Sequence, residues 1–229
     1  MKNLKETIIT AIEDSKRIYL KHLKPLNVAI LISSNAHLYD KRLNGRPYLE
    51  HPRGCLEMFE HLITYMGSSS PSYLEECYVP YKGVKEVAVL HDVVEDTELS
   101  FEDVRDMFSV FGFRNHFDRY IAKPLTLITH DKNESYDTYI DKVLTNPVSS
   151  LAKMLDLNDN LNLFGLDKFD QEELERAIKY LHYFKKINDK YHFVENINQY
   201  YYGYSNFVED FHKPFFDEWC LYVKSRHPA

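Results

Sequence analysis

Leu90-His91-Asp92-Val93-Val94-Glu95-Asp96-Thr97 is the stretch on which the reading of this chain turns. Taken as a helix of 3.6 residues per turn, it sets Glu95 over His91 and Asp96 over Asp92, each pair at spacing i to i+4. One imidazole and three carboxylates then share a face, while Leu90, Val93 and Val94 are left to bury the other side. Ionisable groups crowded in this way repel and desolvate one another unless a cation sits among them. A divalent metal is the usual solution, and a bound metal activates water, so the stretch points to metal-dependent hydrolysis.

The surrounding sequence reads as helix on both sides. The apolar period predicts a helix from about Val84 to Asp96, and Ser100-Phe101-Glu102-Asp103 resembles a capping box that opens the next one. Upstream, Ile8, Ile9, Ile12, Ile18 and Tyr19 form an amphipathic stripe limited by Pro25, and a second helix is predicted from Asn27 to Lys41. Leu43-Asn44-Gly45-Arg46-Pro47 is a turn by composition. A third helix starts at His51, with Pro52 in its first turn, and stops near Gly67, followed by a loop over Ser68 to Pro80. Further helices are predicted at about 116–128, 136–145, 148–163, 171–189 and 207–225. No convincing period-2 strand and no repeat is found. The expected fold is all-α, a single helical bundle of about eight to ten helices. Residues 1–190 form the domain, and 191–229 supply a Tyr-rich loop and a C-terminal helix packed on it.

Composition narrows the function. The 229 residues are 44% hydrophobic, enough for a full core, and contain 7 glycines, which favours helices over turn-rich sandwiches or barrels. With 28 basic and 35 acidic residues the formal charge is −7, so neither nucleic acid nor an anionic membrane is the expected partner. A small phosphorylated ligand remains compatible, because a local basic patch or a metal can dominate a cleft. Cys55, Cys77 and Cys220 are odd in number and lack CxxC spacing, as expected of a cytoplasmic chain without a cysteine-based zinc site. The N-terminus lacks the apolar core of a signal peptide, and the longest apolar run, Val28 to Ile32, is too short to span a bilayer. Helical faces at 1–23 or 207–225 could pack between subunits of a homo-oligomer, although core packing explains their apolar stripes equally well.

His51, His91, Asp92 and Asp156 make a candidate metal shell of two imidazoles and two carboxylates. That donor mix suits manganese, iron or zinc better than magnesium or calcium. Glu95 and Asp96, one turn beyond the ligands, can position or deprotonate water, or protonate a leaving group. Lys41, Arg42, Arg46 and Arg53, with Lys153, are candidate phosphate contacts, the alternative for the first four being a solvated turn. His37, His61, His116 and His130 have no spacing argument. The segment Tyr191 to Ser205, with Tyr200, Tyr201, Tyr202 and Tyr204, is either an aromatic contact surface or, more plainly, a loop packed on the core.

Two segments, Arg42-Leu43-Asn44-Gly45-Arg46-Pro47-Tyr48-Leu49-Glu50-His51-Pro52 and Val89 to Thr97, together with Lys153 to Asn160, resemble the motifs of the HD-type hydrolase domain of RelA/SpoT homologues. The resemblance spans roughly residues 30–165. It implies an α-helical fold and a single metal, usually manganese, held by His51, His91, Asp92 and Asp156. Glu95 and Asp96 would be the catalytic acidic pair. The implied reaction removes the 3′-pyrophosphate of guanosine tetra- or pentaphosphate, and some small members remove the 2′-phosphate of NADPH. Arg42, Lys153 and Asn160 would contact nucleotide or phosphate, and Tyr136 falls where related proteins carry residues lining the nucleotide pocket. Leu43 stands where the family usually has Lys, and Leu157 where it has Arg. Arg46 could compensate in part. A nucleotide phosphatase or phosphodiesterase with another substrate, and a non-catalytic nucleotide-sensing or partner-binding module, are the alternative functions.

Overall fold

Leu26 to Ser34 is buried at every position, the pattern of a helix enclosed on all sides. In the computed structural model, which describes residues 3–19, 23–65, 81–162 and 170–193, this segment is the hub. The side chains of residues 15–19 and 61–65 lie outside the description, as do the loop expected at 68–80, nearly all of the Tyr-rich segment and the helix expected at 207–225.

The elements are α1 (Leu4–Tyr19), α2 (Pro25–Ala36), α3 (Glu50–Tyr65), α4 (Val84–Asp96) and α5 (Phe101–Val110). They are followed by α6 (Arg114–His116), a π turn over Phe117–Ile121, α7 (Ala122–Ile128), α8 (Tyr136–Val143), α9 (Pro147–Asn160) and α10 (Gln171–Tyr191). The fold of the described residues is all-α, with one isolated bridge between Lys41 and Pro47. None of the described helices is long and apolar enough to cross a membrane.

Local chemistry sets the boundaries. Ser100 accepts from the Asp103 N–H while the Asp103 carboxylate accepts from the Ser100 N–H, so the capping box at the start of α5 is real. Asn146 and Asp170 cap α9 and α10 one-sidedly, each side chain accepting from two backbone N–H groups of the first turn, with Pro147 in the first turn of α9. α2 ends at Ala36, not at Lys41 as its apolar period suggests. The Ser34 and Asn35 side chains donate to the Leu31 carbonyl, competing with the helical ladder, and His37 Nδ1 turns to Asp40 at 2.8 Å. The chain then doubles back through Gly45, whose positive φ of 74° suits the turn, and Arg42 N–H donates to the Arg46 carbonyl. The helix expected at 116–128 is interrupted by the π turn. Pro124 has no N–H to offer the Tyr120 carbonyl, so the ladder changes register there.

α4 packs on α2, α3 and α9, and α9 packs on α3, so α3, α4 and α9 meet pairwise. Each carries apolar residues into the core, among them Cys55, Leu90, Val93, Leu155 and Leu157. Where their inner faces converge, the sequence places histidine and aspartate in place of leucine and valine.

Candidate metal centre

His51 comes from the first turn of α3, His91 and Asp92 from the second half of α4, and Asp156 from α9. His51, His91 and Asp156 are each buried to 3% exposure. His51 Nε2 lies 3.4 Å from His91 Nε2 and 3.2 Å from Asp156 Oδ1, and His91 Nε2 lies 3.4 Å from that oxygen. Asp92 closes the group, with Oδ1 at 3.0 Å from His91 Nε2 and Oδ2 at 3.7 Å from His51 Nε2. His51, His91 and Asp92 can offer ligand atoms to one ion, and Asp156 Oδ1 sits against both imidazoles.

The donor chemistry fits a cation. His91 Nδ1 is 2.9 Å from the Ala88 carbonyl, which can only accept, so Nδ1 carries the proton. His51 Nδ1 lies 2.7 Å from Asp159 Oδ2, which fixes the same tautomer. Both Nε2 lone pairs therefore point at one another and at two carboxylates. Donors about 2.1 Å from a common ion lie about 3.0 Å apart at right angles and about 3.4 Å apart at the tetrahedral angle. The observed spacings of 3.0 to 3.7 Å bracket these values. In a metal-free protein, protons take the place of the ion. Burial pulls His51 down, but hydrogen bonds to Asp156 and Asp159 outweigh it and hold the imidazole up at about 9. For His91, burial is likewise outweighed by Asp92 and Asp156, and the shift is upward.

The carboxylates stay ionised. Burial works against Asp156, but Lys153, with Nζ 2.6 Å from Oδ2, and His91 hold it well below the usual range. Asp92 is also lowered, burial again being outweighed, by His91 first. The Tyr48 hydroxyl donates to Asp92 Oδ2. The Tyr48 ring stacks on His37 at 4.0 Å, which gives His37 a packing role.

Glu95 and Asp96 occupy the last turn of α4 and behave in the opposite way. Burial raises Glu95, although the His130 N–H donates to its Oε2 at 3.0 Å. Asp96 is more exposed and is raised by partial burial and then by the charge of Asp92. The two acids sit one turn beyond the candidate ligands on the same helix, at its carboxyl end, where the helix dipole also opposes ionisation.

The other expected site residues are distributed unevenly. Asn160 Nδ2 donates to Asp156 Oδ1 at 2.6 Å, so it supports a candidate ligand. Lys153 is committed to Asp156, and its ammonium faces the rings of Tyr139 and Tyr136 at 5.2 and 5.9 Å. Arg42 is paired with Asp159. Arg46 is exposed and 3.4 Å from Glu50, away from the cluster's ion pairs. Tyr136 lies in an aromatic wall with Tyr139 and Tyr183, and Lys179 sits 3.8 Å above its ring. Tyr48, Asp159, the His130 backbone and Lys179 were not foreseen. Asp159 could have been suspected from its spacing of three after Asp156, and Tyr48 from its spacing of three before His51.

No family model matches the chain. A solved structure described as a metazoan ortholog of SpoT that hydrolyzes ppGpp and plays a role in starvation responses is similar at 21% identity, with a TM-score of 0.49. The likeness covers 79% of this chain and 95% of that one.

Proposed function

We propose that the protein is a metal-dependent phosphohydrolase acting on a nucleotide, with guanosine tetra- or pentaphosphate as the substrate and the 3′-pyrophosphate as the group removed. The observation that carries the reading is the cluster of buried His51, His91 and Asp156 with half-buried Asp92, and two acids of raised pKa one turn further along the same helix as His91 and Asp92. The sequence motifs around His51, His91 and Asp156 support the choice of substrate.

In this mechanism the four side chains would hold one divalent ion; their donor mix suits manganese, iron or zinc, and the resemblance in the motifs favours manganese. When bound, such an ion lets water lose a proton near neutral pH and offsets charge on a phosphoryl oxygen. Glu95, whose pKa is raised by burial, takes the proton from the attacking water. Asp96 returns one to the departing phosphate oxygen. Lys153 and Asn160 keep Asp156 oriented, and Tyr136 with Lys179 forms a rim against which the nucleotide can rest.

A second reading keeps the chemistry and changes the substrate to a less charged nucleotide such as NADPH. Arg42 is engaged by Asp159 and Lys153 by Asp156, while Leu43 is exposed and Leu157 lies in the core, so these two cations are already partnered and the two leucines add none. A third reading, a non-catalytic nucleotide-sensing module, gives the raised acids no purpose.

The deciding assay is pyrophosphate release from guanosine tetraphosphate by the purified protein with manganese, with Asp92→Ala as control. Manganese-dependent release that the variant loses is the expected result. A metal-loaded protein that leaves guanosine tetraphosphate intact and cleaves NADPH would favour the second reading, and one that cleaves no nucleotide the third.

A further inference from the structure

We infer that Asp159 is a positioning residue for the metal centre, and that Gly54 is what lets it reach His51; the inference rests on reading the cluster as a metal site. The two imidazoles are held in different ways. His91 is fixed from within its own helix, by the Ala88 carbonyl three residues back. His51 lies in the first turn of α3, and its Nδ1 is held from across the helix interface by Asp159 of α9, at 2.7 Å. The orientation of His51 therefore depends on tertiary packing, whereas that of His91 is local.

Asp159 stands three residues after Asp156, so one face of α9 presents both a candidate ligand and the support for a second ligand. The same Asp159 Oδ2 that meets His51 also receives the Arg42 guanidinium, and Arg42 Nη2 reaches the Asp159 carbonyl at 3.4 Å. A carboxylate that accepts the Nδ1 proton of a ligating histidine fixes its tautomer and makes the other nitrogen a stronger donor. Arg42 offsets the buried charge of that carboxylate, so its function lies in the support of His51 and not in phosphate capture.

Gly54 supplies the space. It lies three residues after His51 on the same face of α3, and a Cβ there would overlap the Asp159 carboxylate. Glycine is a poor residue for a helix interior. Here the volume it leaves open is taken up by the carboxylate that orients His51.

The test is manganese affinity by titration calorimetry, with metal content by elemental analysis, on the full chain and on Asp159→Asn, Asp159→Ala and Gly54→Ala. Folding of each variant is checked by circular dichroism. We expect Asp159→Ala to lower affinity by roughly 10- to 100-fold. Asp159→Asn, which keeps an acceptor and loses the charge, should fall between it and wild type. Gly54→Ala should weaken binding in the same direction although it touches neither ion nor ligand. The strongly hydrogen-bonded Nδ1 proton of His51 should vanish from the NMR spectrum of Asp159→Ala. Folded Asp159 variants with wild-type affinity would overturn the inference while leaving the metal site intact. Wild-type protein that binds no divalent ion would remove the metal reading itself, and the inference with it. Should Gly54→Ala fail to fold, the Asp159 pair decides alone.

Discussion

One turn of α4 separates two carboxylate environments. Asp92 faces two imidazoles and the Tyr48 hydroxyl and is held ionised despite its burial. Glu95 accepts one backbone N–H, from His130, and among the described residues neither it nor Asp96 has an imidazole or hydroxyl hydrogen-bonded to it; both are pushed toward protonation by burial. The difference shows that depth does not decide the state of an acid on this helix; the nearest positive charges and donors do. A helix that carries both kinds can hold an ion with one end of a short motif and move protons with the other.

The comparison breaks most severely at the proposed ligands. Asp92→Asn or Asp156→Asn should cost roughly 10³-fold or more in turnover, the equivalent of several kcal/mol of transition-state stabilisation. Steady-state rates with saturating manganese check this. A loss under tenfold would remove those residues from the metal shell.

Glu95→Gln should come next, with a rate loss of roughly 10²- to 10³-fold and metal retained. Asp96→Asn should lose less, because Asp96 is the more exposed of the two. Acting as the proposed base, Glu95 must be ionised, and its pKa is raised. Wild-type activity should thus fall with decreasing pH along a limb above the usual glutamate range, and that limb should be absent from the residual activity of Glu95→Gln. An unchanged pH profile in the variant would move the base elsewhere.

A smaller effect concerns the protein without metal. His51 is raised to about 9 when folded, against about 6.5 unfolded. The stability it contributes is therefore complete below pH 6.5 and is lost as pH rises toward 9. Thermal melts of chelator-treated protein should show a declining melting temperature over that window. The manganese-loaded protein, whose imidazoles carry no proton at Nε2, should show no such decline.

The smallest change expected is from Tyr48→Phe. It removes the donor to Asp92 while keeping the ring that stacks on His37, and it should cost about 1.5 to 3 kcal/mol of stability at most, as for hydrogen bonds to charged groups. Chemical denaturation of both proteins with metal bound measures it.

Much of this was legible in the sequence, and the exceptions share a cause. The bounds of α4 follow from an apolar period that runs unbroken from Val84 to Val94, and the start of α5 follows from its capping residues. Ligand candidates could be paired because His91 and Asp92 are adjacent and the motifs at His51 and Asp156 are local. The end of α2 was misplaced because Ser34 and Asn35 compete for a backbone carbonyl, which no hydrophobic pattern records. That Arg42 and Lys153 are paired with Asp159 and Asp156 could not be read, because a sequence shows charges and not their partners. Asp159 went unnoticed because its link to His51 crosses 108 residues and depends on the close approach at Gly54. Local chemistry was readable; pairings that need two helices to be packed first were not.

The most direct test of the contrast within α4 is the metal content of two variants purified in parallel from manganese-supplemented buffer, Asp92→Asn and Glu95→Gln. The account predicts that Glu95→Gln keeps one equivalent of metal per chain, as wild type does, while Asp92→Asn keeps almost none. Equal metal in both variants, whether full or absent, would contradict the division of the helix into an ion-holding part and a proton-moving part.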